Sequence, residues 1–145
     1  MSDRELADAM EKADLKTIQR LLSPYPTTRL GNGWTPLHLA IELGNAAVVA
    51  LTLNVGGDIS ARSVMNGFAP LHFVVDRIAD GEYQTRQRDD EGWEILRILL
   101  EAEADVHALD SEGLTAIDMA TRYRRRDIVE LLLSGRSSGH AGGGT

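Results

Sequence analysis

No cysteine occurs among the 145 residues. That excludes a disulfide framework, a thiol nucleophile and any thiolate metal site, and it fits a reducing compartment. Aromatic residues make up only 5%, so the core has to be mostly aliphatic. Long apolar runs are missing too. The longest, Ala46–Leu51, falls far short of the roughly 20 residues that span a bilayer. The segment up to Lys12 carries Asp3, Arg4, Glu5, Asp8 and Glu11 in place of the apolar stretch of a targeting signal. A cytoplasmic protein away from membranes is therefore expected. Positive charge is in deficit: 15 basic against 22 acidic residues, a net charge of −7. Nucleic acid demands a basic footprint and is disfavoured, whereas a basic protein is a suitable partner. With 43% hydrophobic and 26% charged residues, a single folded domain is expected.

What is present is a repeat. Gly31–Gly44 (GNGWTPLHLAIELG), Met65–Ile78 (MNGFAPLHFVVDRI) and Ser111–Arg124 (SEGLTAIDMATRYR) align with one another. Thr35 and Ala69 are 34 residues apart, and Ala69 and Thr115 are 46 apart. Downstream of each lies an aliphatic block: Val48, Val49 and Leu51; Ile95, Leu96, Ile98 and Leu99; Ile128, Val129, Leu131 and Leu132. Spacings of i, i+1, i+3 and i+4 put these on one face of a helix. Each unit thus reads as a helix, a tight turn, a second helix and an extended turn region. Pro36 and Pro70 fit a first helical turn, where a missing N–H costs nothing, and Thr35 can cap it. Gly33, Gly67 and Gly113 suit a preceding turn with positive φ, and Gly44 a helix end.

The TPLHLA of Thr35–Ala40, the APLHFV of Ala69–Val74 and the period resemble the ankyrin repeat family. The resemblance implies an all-α ankyrin solenoid. It divides into an N-terminal cap (1–29), three repeats (30–63, 64–109, 110–135) and a flexible Gly/Ser-rich tail (136–145). In the cap, Glu5–Lys12 and Leu15–Leu22 can form two helices around Ala13-Asp14. First helices are expected near Glu5–Glu11, Pro36–Leu43, Pro70–Ile78 and Ala116–Tyr123. Three departures from the family pattern stand out. Ala116, Asp118 and Arg124 replace the usual Pro, His and helix-ending Gly. Asp58–Gly67 is one residue longer than Asp105–Gly113, which should distort the tip at Ser63–Asn66. About 13 extra residues fall at Ala79–Glu91, inside the second full repeat.

His38 and His72 are the obvious catalytic or metal candidates. The resemblance instead assigns them to hydrogen bonds that fix the turn, and no third ligand is in sight. Neither a His-Glu-x-x-His pair, a dinucleotide fingerprint nor a phosphate loop is found, so no enzymatic role, cofactor or metal is expected. Arg122, Arg124, Arg125 and Arg126 lack the aromatic interleaving of a nucleic-acid site.

The resemblance implies protein binding by hairpin tips and first helices. Mapped by motif offset, the partner-binding candidates are Asn32, Trp34, Glu42, Met65, Asn66, Phe68, Asp76, Arg77, Glu112, Leu114, Arg122 and Tyr123. Trp34, Phe68 and Leu114 are apolar anchors ringed by charge, unless they pack on neighbouring hairpins. The 79–91 insertion is expected to lengthen its flanking helices and to offer Tyr83, Asp89, Asp90 and Glu91 as a second, acidic contact. The expected function is that of an adaptor or inhibitor, monomeric when free. An immunity protein against a cognate toxin is one version of it, and a structural subunit of a larger assembly is the alternative.

Overall fold

The computed structural model describes residues 1–139, with side chains through residue 134. Those residues form eight helices: α1 (Asp3–Glu11), α2 (Leu15–Leu22), α3 (Pro36–Leu43), α4 (Ala46–Asn54), α5 (Pro70–Thr85), α6 (Asp90–Glu101), α7 (Ala116–Arg122) and α8 (Arg126–Gly139). No strand occurs among the described residues. Consecutive helices pack as antiparallel pairs. The odd-numbered helices stack on one another as an inner layer, and the even-numbered ones as an outer layer.

Local chemistry sets the helix starts. Pro36 and Pro70 occupy first-turn positions, and Ser2, Thr35 and Thr115 close capping boxes with Glu5, His38 and Asp118. Asp14, Asn45 and Asp89 accept from the N–H three residues on and cap α2, α4 and α6. The turns inside the helix pairs each need a left-handed residue. Gly44 supplies it cheaply at φ 76°, while Ala13, Arg86 and Arg124 adopt φ of 52°, 61° and 61° without glycine's freedom.

The core is a single aliphatic cluster running through all four pairs, with Leu6, Ile18, Leu37, Ile41, Leu71, Ile95 and Ile128 almost fully enclosed. Of the second-helix stripe, Val48, Val49, Ile95, Leu96, Leu99, Ile128 and Leu132 are buried. Leu51, Ile98, Val129 and Leu131 lie at its edge, half-buried against it.

Three hairpins project from one end of the inner layer. Leu30 N–H donates to Trp34 O (2.8 Å), and Asp110 N–H to Leu114 O (2.9 Å). In the middle hairpin the matching bond spans one residue more, from Ser63 N–H to Phe68 O at 2.9 Å. The extra residue pushes Val64 and Met65 outward, leaving them 71% and 83% exposed. Ser63 Oγ steadies the bulge by donating to Asn66 Oδ1 and accepting from Phe68 N–H. The hairpins touch at Gly67, where a Cβ would sit 2.7 Å from the Ser111 nitrogen, and Ser111 N–H donates to Asn66 O (3.1 Å).

The insertion lengthens its flanking helices as expected, carrying α5 past the Ile78 boundary, whereas the boundary of the tail differs. The insertion is mostly helix: α5 runs on to Thr85, and Asp90 and Glu91 open α6. Only residues 86–89 are left as a connection. Helix α8 continues to Gly139, so residues 136–139 are helical where a flexible tail is expected. Extending a formed helix adds one hydrogen bond per residue fixed, without the cost of a new nucleus. The remainder of that expected tail, 140–145, lies outside the described residues.

Candidate functional site

His38 and His72 are 0% and 1% exposed. In His38, Nδ1 accepts from Thr35 N–H (3.1 Å), so Nε2 carries the proton and donates to Phe68 O (2.9 Å). His72 does the same with Ala69 N–H (3.1 Å) and Leu114 O (2.9 Å). Each imidazole therefore bolts its own helix start to the next hairpin. Burial pushes the His38 pKa below its ordinary value, with the Phe68 bond opposing. In the third repeat Asp118 closes the box onto Thr115 N–H (3.1 Å), and no later hairpin among the described residues needs a bolt. Among the described residues no three His, Cys, Asp or Glu side chains are placed to hold a metal.

These bolts fix Phe68 and Leu114, and between them the surface opens. A groove of about 510 Å³ separates the second and third hairpins and the helices behind them. Met65, Asn66, Ser111 and Glu112 form its outer lip. Phe68, Leu114 and Met119 form its floor, and Asp76, Arg122 and Tyr123 close its far end. Tyr123 OH donates to Asp76, and Glu112 and Arg122 approach to 3.9 Å at the rim. Burial, and then the Asp76 and Asp80 carboxylates, hold the Tyr123 phenol protonated well above its usual range.

The groove thus unites Met65, Asn66, Phe68, Asp76, Glu112, Leu114, Arg122 and Tyr123 from the expected set. It excludes the rest. Trp34 lies edge-on against Phe73 at 5.0 Å, half-buried between hairpins, and Asn32 accepts from its N–H (3.0 Å). Glu42 is exposed on α3, and its carbonyl accepts from Arg77 (2.8 Å). Arg77 also pairs with Asp89 (3.0 Å), so these two tie α3, α5 and α6 together and are not open contacts. The expected acidic contact of the insertion is likewise dispersed. Glu91 accepts from Ala46 N–H (3.1 Å), and Asp90 pairs with Arg88 (2.8 Å). Tyr83 stands clear, 76% exposed, and the Asp90 side chain remains 85% exposed beside its arginine.

Sequence reasoning missed Ser111, Met119 and Asp110. The last is 6% exposed and accepts from the N–H groups of Glu112 (2.8 Å) and Leu114 (2.9 Å). The signal was available: Asp at the first and Gly at the fourth position of a turn, here Asp110 and Gly113, is a standard β-turn pattern.

This stack of helix pairs, bolted hairpin to hairpin, is a solenoid interaction scaffold. Residues 32–64 match the model of the ankyrin repeat, and residues 88–133 that of ankyrin repeats in many copies, together more than half of the chain. The chain belongs to the ankyrin repeat family, whose repeats generally mediate protein–protein interaction. It is 28% identical over 102 residues to alpha-latrotoxin-Lhe1a of Latrodectus hesperus, covering 70% of this chain and 6% of the toxin. It is 26% identical over 157 aligned positions to tyrosine-protein kinase HTK16 of Hydra vulgaris, covering 88% and 20%. With the 2-5A-dependent ribonuclease of Mus musculus it shares 35% identity over 71 residues, covering 47% and 10%. The chain therefore spans a fifth or less of these relatives. No described helix is long and apolar enough to cross a membrane.

Proposed function

We propose that this chain binds one specific protein partner in the groove between its second and third hairpins. One observation carries this reading: tip and first-helix residues of two repeats converge on a single apolar floor with a charged rim. That is the composition of an interface hot spot, in which buried apolar anchors supply the affinity and rim charges supply specificity. The net charge of −7 favours a basic partner. Covering a basic surface blocks it, so the consequence proposed is inhibition, with neutralisation of a cognate toxin as its most specific form. An adaptor or structural subunit would leave the partner's activity intact, and titrating that activity with the chain separates the two. The free chain is proposed to be monomeric and to work in the cytoplasm.

The test compares partner capture from the source cell by the wild type with capture by Met65→Ser and Tyr123→Ala, each at an exposed position. Retention of a discrete partner is expected to drop about tenfold in each variant with the melting temperature held, since a hot-spot truncation costs about 1.4 kcal/mol or more. Undiminished capture by both variants overturns the groove as the site.

A further inference from the structure

A second cavity, of about 530 Å³, opens where the two added turns of α5 pass the turn between α7 and α8. Asp80 and Tyr83 line it from α5, and Tyr123 and Arg124 from the opposite side. It shares Arg122 and Tyr123 with the groove described above, so the two run together as one trough along the inner layer. The insertion therefore builds the far half of the trough.

The contents of this half are specific. Asp80 lines it, and Asp76, at the junction with the groove, stands one helical turn back on α5 and accepts from the Tyr123 hydroxyl. Tyr83, one turn beyond Asp80, is exposed beside them. Part of the opposing positive charge is already paired. Arg125 is held by Glu82 (2.6 Å) and Asp127 (2.9 Å), and Arg122 lies 3.9 Å from Glu112. Among the described residues Asp80 meets only the Gln84 amide at 3.3 Å, and Asp76 only the Tyr123 hydroxyl. Arg124 is the one cation lining the cavity that has no ion pair among the described residues, and it is outnumbered by Asp80 in the cavity and Asp76 at the junction with the groove.

We infer that this half of the trough receives an arginine side chain of the partner protein, between the Tyr83 and Tyr123 rings and against the Asp76 and Asp80 carboxylates. The inference rests on the protein-binding reading above and names what the partner must present. A guanidinium suits the site better than an ammonium. Its flat face stacks on phenol rings, and its fork of donors matches carboxylate oxygens. An apolar residue adjoining that arginine then falls on the Phe68, Leu114 and Met119 floor.

The probe is acetyl-arginine amide, titrated into the full chain while the Tyr83 and Tyr123 ring signals are followed by NMR. Acetyl-lysine amide and acetyl-glutamate amide are titrated in parallel. Saturable shifts of both rings are expected with the arginine probe, with an affinity a few-fold higher than for lysine, and none with glutamate. Asp80→Asn and Tyr83→Ala sit at exposed positions and are expected to weaken the arginine response at least about threefold. Arg124→Gly is expected to strengthen it. Met65→Ser, at the other end of the trough, should leave the response unchanged while lowering partner capture about tenfold, which separates this inference from the groove reading. Absent ring shifts, equal shifts with glutamate, or an unchanged response in both Asp80→Asn and Tyr83→Ala would overturn it.

Discussion

The two buried imidazoles show how one side chain can serve two levels of structure. Nδ1 of His38 completes its own helix start, and Nε2 holds the next hairpin. His38→Ala leaves the Thr35 N–H and the Phe68 carbonyl without this partner and opens a cavity. A loss of about 3 kcal/mol in urea unfolding is expected. The depressed His38 pKa also sets a pH dependence. Below its ordinary value near 6.5 the unfolded imidazole takes up a proton that the folded one refuses, so stability falls as pH drops through that range. The urea midpoint should decline from pH 7.5 to pH 5, and less steeply in His38→Gln; equal slopes would refute the assignment. Arg124 supplies the opposite case. It holds φ 61° where the sibling turn uses Gly44, so Arg124→Gly should raise stability by about 0.5–1 kcal/mol in the same assay.

At the scale of elements, the insertion is stitched into the fold by one carboxylate. Glu82, on the added turns of α5, accepts from Asp89 N–H (2.7 Å), Trp93 Nε1–H (2.9 Å) and Arg125 (2.6 Å). It thereby joins α5, the start of α6 and the start of α8. Glu82→Ala leaves a half-buried arginine without its interhelical partner and a buried indole N–H unsatisfied. A loss of about 2–3 kcal/mol by thermal or urea unfolding is expected, and a loss under 0.5 kcal/mol would show the stitch to be idle. This network also marks where sequence reading stops. The first helices, their caps and the bolting histidines were legible because each is written within about five residues, in backbone chemistry that repeats at fixed offset. The ties of Arg77 to Asp89 and Glu42 O were not legible because both partners are distant in sequence, 12 and 35 residues away.

Across the whole molecule, the repeat offsets place tip and first-helix residues along one face, since equal offsets in a stacked repeat share a side. What the offsets did not reveal is which gap between repeats stays open. Between the first and second repeats Trp34 and Phe73 meet edge to face and fill the space. One unit on, the matching positions hold Phe68 and Met119, and with less side chain to close it the gap becomes the groove. Its position follows from that substitution of methionine for an aromatic ring. The most direct test of the groove as the binding site is photo-crosslinking with benzoyl-phenylalanine placed at Met65, on the lip, and at Ala50, on the exposed outer face of α4. A single crosslinked partner from position 65 and none from position 50 is the result expected. The same partner from position 50 alone, or equally from both, would contradict the account.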